Sequence, residues 1–169
     1  MRRILSLFRS SSAAEPRAPY EHLVAEARQK DWYLDGKVAD DMDGRFAVLS
    51  SHVALAILRL ERGSEEAVRA SVALTEQFIA DMDAQMRQIG FDTKLGKQVR
   101  GLVGALATRV DRWRRALEDE GDWQDATNFS IYRDAPPSEE SATFAAERLR
   151  RFAERLDGAD DDEVLEGQW

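Results

Sequence analysis

The sequence predicts an all-α protein, a single-domain bundle of five or six helices with flexible tails at both ends. Three observations lead there. Apolar residues recur at steps of three and four along successive stretches, as the buried stripe of a helix requires. No stretch shows the alternation of a half-buried strand, and the 169 residues include only 4 Pro and no Cys. A chain of this length buries roughly 70% of its unfolded surface as one domain, so no second core is needed. The lack of Cys excludes disulfides, thiolate metal sites and cysteine nucleophiles.

The chain opens with "MRRILSLFRSSS", whose apolar residues Ile4 to Phe8, interrupted by Ser6, are fewer than the roughly 7 to 15 of a signal-peptide core. The reading is an unexported protein. Residues 1–9, with Arg2, Arg3 and Arg9 around Ile4, Leu5, Leu7 and Phe8, form either a frayed terminus or a short amphipathic membrane contact. Ser10 to Pro19 reads as a linker, which makes residues 1–19 a basic segment and places the helical domain at 20–157.

Tyr20, Leu23, Val24 and Ala27 give a first short helix to about Lys30, and "DWYLDGKVADDMD" reads as a loop with Trp32 and Tyr33 turned inward. Phe46, Leu49, Val53, Ile57 and Leu60 set the next helix, with Asp43 placed to cap it. Its "VALAIL" is the longest apolar run, far short of the 18 or so residues of a spanning helix. Gly63-Ser64 separates it from a helix whose seam reads Val68, Val72, Thr75, Ile79, Met82, Met86 and Ile89.

After Gly90, a helix lined by Leu95, Val99, Leu102, Leu106, Val110, Trp113 and Leu117 carries Gly96, Gly101 and Gly104. Each glycine costs about 1 kcal/mol relative to Ala in a helix interior, which suggests close approach of another backbone or a shallow groove for a partner. Lys94, Lys97 and Arg100 form a basic strip where the helix dipole prefers anions. They are either solvated side chains or a site for a carboxylate cluster, a phosphate or a lipid headgroup. Trp123, Ala126, Phe129 and Ile131 mark a short helix, and Ala145, Leu149, Phe152 and Leu156 the last one, begun at Ser138. "GADDDEVLEGQW", residues 158–169, reads as an acidic disordered tail.

The formal net charge of -8 disfavours nucleic acid as a partner, because that binding comes from neutralising phosphates. Residues 1–30, with 6 basic and 3 acidic side chains, and residues 91–115, with 7 and 2, are the exceptions. Catalytic chemistry is not in evidence. The two histidines, His22 and His52, belong to no metal-ligating pattern, and no nucleotide loop or nucleophile elbow occurs. Asp81 and Asp83, two apart on a helix, face different ways and cannot act as a pair. His52 is either a packed, hydrogen-bonded residue or a base with Asp43 or Asp81. The local pattern makes Asp43 a cap, Arg45 a solvated side chain and Phe46 the first core residue.

"WYLDGKVADDMDGRFAVLSSHVALAILRL", "FIADMDAQMRQIGFDTKLGKQVR" and "IYRDAP" together resemble the three signature regions of the ubiquinol-cytochrome c chaperone family. The matching residues are Trp32, Tyr33, Asp43 to Phe46, His52, Asp81 to Asp83, Gly90, Asp92, Gly96, Lys97 and Arg100. Ser51, Phe91, Thr93 and Ser130 depart from that pattern. The resemblance implies an assembly factor whose partner is newly made cytochrome b or an early cytochrome bc intermediate, with a second small assembly protein as a candidate further partner. The lack of nucleotide, metal and cofactor motifs makes the reading non-enzymatic and ATP-independent, without cofactor or metal. The resemblance also implies a cytoplasmic location at the inner membrane, on the matrix side in a mitochondrion. Asp43, Arg45, Phe46, His52, Lys94, Gly96, Lys97, Arg100, Gly101 and Gly104 are the expected client-binding residues. The rival reading is a membrane-surface adaptor whose basic strip holds anionic lipid or a protein.

Overall fold

A computed structural model describes residues 17–90, 95–118 and 123–169. Residues 1–9 and Lys94 lie outside them. The described residues form α1 (Arg17–Ala27), α2 (Asp31–Leu34), α3 (Met42–Leu60), α4 (Glu65–Gln88), α5 (Leu95–Glu118), α6 (Trp123–Tyr132), α7 (Glu139–Gly158) and α8 (Asp161–Glu166). The two helices beyond the expected six are short ones, α2 and α8.

α3 is the centre. A helix that is apolar on every side is stable only when neighbours surround it, and every residue from Ala47 to Leu58 is buried. α1, α4, α5, α6 and α7 all pack on it. The N-cap is Asp41 rather than Asp43: Gly44 donates its amide to Asp41 Oδ1 at 2.8 Å. Gly44 is required because a Cβ there would lie 1.9 Å from the Ala39 carbonyl oxygen. The chain therefore crosses its own helix start at backbone contact, which leaves Asp43 on the outside.

On α4 the buried stripe is Ala67, Ala70, Ser71, Leu74, Phe78 and Met82, while Val68 and Val72 are 41% and 56% exposed. The expected seam is thus rotated. Small side chains let α4 approach α3 closely, and the larger aliphatics are left on the flank. On α5 the stripe falls as expected at Leu102, Leu106 and Trp113, but a fourth member is Arg109, 8% exposed.

The C-terminal segment 158–169 is not a mobile tail. α8 begins with a capping box between Asp160 and Glu163, and Val164 is fully buried. Arg59 donates to Asp161 Oδ1 at 2.8 Å and to the carbonyls of Leu156 and Ala159, while Asp161 Oδ2 accepts the Ser64 amide at 2.6 Å. Trp169 packs edge-on against His22 and Phe152. Acidic composition concealed an ordered segment because these acids act as caps and counter-ions. No helix among the described residues is long and apolar enough to cross a membrane.

Candidate functional site

The turn Asp43-Gly44-Arg45-Phe46 stands between two depressions, and Phe46 forms a wall of both. The first, of about 410 Å³, is lined by Val24, Tyr33, Arg45, Asp81 and Met82 among others. Tyr20 donates its hydroxyl to Asp81 at 2.5 Å, and burial together with that carboxylate raises the phenol's pKa. Arg45 pairs with Asp40 at 2.8 Å, not with Asp81 or Asp83, and Asp83 is held by Arg87.

The second depression, of about 640 Å³, runs between the start of α3, the middle of α5 and the turn from α6 to α7. Asp43, Gly44 and Phe46 from the first motif meet Tyr132, Arg133 and Asp134 from "IYRDAP" here. Asp43 Oδ2 and Arg133 close the rim at 3.1 Å. Tyr132 lies behind the turn, its hydroxyl directed at the carbonyls of Gly36 (2.5 Å) and Ser141 (2.9 Å), and burial pushes its pKa up to about 12. Lys37, Arg133 and Asp134, with φ of 51°, 52° and 63°, are the non-glycine residues of positive φ among the described residues. All three line this cleft. Backbone in the left-handed region is costly for residues with a Cβ and collects at functional sites.

At the base lies Arg109. Its guanidinium donates to the carbonyls of Ala105 (3.2 Å) and Ser130 (3.0 Å) and stands 5.2 Å from the Phe46 ring centre, while its Nε has no partner. Burial and the nearby Arg133 charge lower its pKa to about 10.

The α5 face leads into the same cleft. Lys97, Gly101, Gly104 and Thr108, spaced by four, three and four residues, share one exposed stripe, and Thr108 and Ala105 line the depression. A Cβ at Gly101 or Gly104 would meet nothing within 4 Å. Among the described residues no backbone approaches them, which corrects the packing expectation and leaves this stripe of helix backbone open. Lys97 and Arg100 are exposed and form no ion pair with a described residue. Gly96 belongs to α5, but its surroundings lie outside the described residues.

His52 is elsewhere, in the core. It is 1% exposed, with ring centres of Trp32 and Phe152 at 5.3 and 4.7 Å, and its Nδ1 donates to the Val48 carbonyl at 2.8 Å. Burial lowers its pKa to about 4, so it is neutral at pH 7. It reaches a depression lined by Glu26, Arg148 and Arg155 but is almost wholly covered, so its expected place in the client-binding set is corrected to a packing role.

The sequence pattern of the ubiquinol-cytochrome c chaperone family matches residues 34–169. The chain belongs to this family. It is similar to a solved structure described as the Cbp3 homolog from Brucella abortus, at 27% identity, with 97% of this chain and 93% of that one covered and a TM-score of 0.79. No curated protein matches it. As a ubiquinol-cytochrome c chaperone, the protein serves assembly of the cytochrome bc complex, and its partner lies in that complex.

Two residues of this chaperone escaped the sequence reading. Arg109 carried a signal, since it interrupts the apolar stripe Leu102, Leu106, Trp113 at the right spacing. Lys37 carried none: its positive φ follows from how the chain turns beneath Tyr132.

Proposed function

We propose that the protein holds newly made cytochrome b, without ATP, until haem and partner subunits are in place. The observation that carries this reading is the continuity of one surface: the bare glycine stripe of α5, flanked by Lys97 and Arg100, runs into the cleft formed by two signature motifs. A polypeptide can lie against exposed helix backbone there, with charges at its edge and the Phe46 wall at its end. The binding residues on this reading are Asp43, Phe46, Lys97, Arg100, Gly101 and Gly104, together with Gly96 of α5 and, outside the described residues, Lys94. Arg45 belongs to the neighbouring depression, which suits the second small assembly protein.

The protein works as a binder rather than an enzyme. The chaperone family supports that reading, and His52, 1% exposed, is packed between Trp32 and Phe152. Client release then follows from displacement by the next subunit, a shift of binding free energy. A dissociation constant near micromolar, roughly -8 kcal/mol, retains a client and still lets it exchange. The protein works on the cytoplasmic or matrix side of the inner membrane, with residues 1–9 as its peripheral contact.

The test is a reduced-minus-oxidised haem spectrum of membranes from a gene-deletion strain, with reductase activity measured on the same sample. The b-type signal and the activity should both fall. Wild type should restore them, and Gly104→Trp, at a position where an added Cβ meets nothing within 4 Å, should not. An unchanged spectrum in the deletion strain would remove the cytochrome b reading.

A further inference from the structure

Arg109 is the feature that neither packing nor the stripe accounts for. A cation taken out of water is stabilised by a carboxylate, and one left without it carries most of its desolvation cost. Arg109 is 8% exposed and forms no ion pair with a described carboxylate. Its contacts are two neutral carbonyls and an aromatic face, which replace part of its hydration but none of its counter-charge. The acids lining the cleft are otherwise disposed. Asp41 accepts the Gly44 amide, Asp43 pairs with Arg133, and Asp134 is turned out to solvent.

The surroundings are built as a receptor would be. Arg109 lines a depression of about 640 Å³ together with the three residues of positive φ. Arg109 itself hangs from α5, with Ser130 of α6 fixing its far side. A planar guanidinium anchored in this way is suited to recognising a planar carboxylate. The stripe through Gly101 and Gly104 enters from the side, and Lys97 to Thr108 spans about 17 Å at 1.5 Å per residue. A chain segment can therefore pass over the cleft, so the group presented to it is a side chain and not a chain end.

We infer that the cleft between α3, α5 and the α6–α7 turn receives an acidic side chain of the bound polypeptide, with Arg109 as its counter-charge. This rests on the chaperone reading but is independent of which subunit is the client.

Titration of the full-length, 15N-labelled protein tests it directly, following the arginine Nε–H signals. N-acetylglutamate N-methylamide should shift the Arg109 signal saturably, with a dissociation constant on the order of 10 mM, as a single contact allows. Its glutamine counterpart should not. Arg109→Met should abolish the response. Because that variant could misfold, Ala105→Glu serves beside it, placing a carboxylate one turn before Arg109, where a Glu–Arg pair is favourable. It should weaken the response at least tenfold with the circular dichroism unchanged.

An equal response to the glutamine compound, tighter binding of N-acetylglycine or of inorganic phosphate, or an undiminished response in Ala105→Glu would each overturn the inference. None of these outcomes bears on the haem spectrum, so the two readings fail separately.

Discussion

The two ends of the bundle treat charge in opposite ways. Around α8, Arg59 is 12% exposed in its side chain and finds a carboxylate and two carbonyls, and the acids at 160, 161 and 163 each satisfy a backbone or side-chain donor. Around the first half of α5, Lys97 and Arg100 pair with no described residue, two glycines leave backbone bare, and Arg109 is buried with no counter-ion among the described residues. The first region is electrostatically complete within the chain, and the second is complete only with something added. Stability is therefore concentrated at the α8 end and binding at the other, and substitutions should separate the two.

Truncation after Gly158 should have the largest effect on stability. It removes the fully buried Val164, the half-buried Leu165 and Trp169, and the partner of Arg59. At about 1.5–3 kcal/mol for each fully buried apolar side chain, the loss should be on the order of 4 kcal/mol, read from urea unfolding. A change under about 1 kcal/mol would mean that α8 is an appendage.

Arg59→Ala should follow closely, at about 3 kcal/mol, because it leaves Asp161 and two carbonyls without their donor. Arg59→Lys should recover only part of this, since one ammonium cannot reach all three acceptors in the geometry of a guanidinium. The same unfolding curves decide it, and equal stability of the two variants would show that charge alone matters there.

The pH profile separates the core from the α8 clamp. His52 has a folded pKa of about 4, below its ordinary value of 6.5, so the unfolded chain takes up the proton first. Its contribution is complete above pH 6.5 and is lost as pH falls toward 4. Asp161, whose pKa is lowered by the Ser64 amide and by Arg59, contributes above the ordinary carboxylate range and loses that contribution at more acid pH. His52→Leu should therefore flatten stability between pH 6.5 and 4, and Asp161→Asn only below that window. A slope unchanged in His52→Leu would mean that the imidazole is accessible to protons in the folded protein.

Much of this architecture was legible in the chain. α3, α5, α6 and α7 follow from apolar spacing, and Ser64 and Ser138 cap their helices by the ordinary rule. The rotation of α4 was not legible, because periodicity identifies a stripe but cannot tell alanines that permit close approach from valines left beside it. α8 was hidden because composition counts charges without seeing their partners. The functional face was partly legible: the glycines and the basic strip point to an open α5 surface, whereas Arg109 gains its meaning only from the absence of a neighbouring carboxylate among the described residues, which is a property of three dimensions. His52 illustrates the reverse case, a motif residue whose environment makes it part of the core.

Lys97→Glu with Arg100→Glu should produce the smallest effect on stability and a large one on function. Both side chains are exposed and pair with no described residue, and surface substitutions of this kind usually stay within about 0.5 kcal/mol. Lys97 lies in the first turn of α5, where a glutamate interacts favourably with the helix dipole, so the shift should be toward greater stability by a few tenths of a kcal/mol. Cations kept where the dipole disfavours them imply that an anionic or hydrogen-bonding partner offsets the cost. The double variant should therefore unfold at the wild-type urea concentration or slightly above it, yet fail to restore the b-type haem signal in a deletion strain. Full restoration would make this half of α5 an ordinary solvated surface, and the contrast between the two ends would then rest on Arg109 alone.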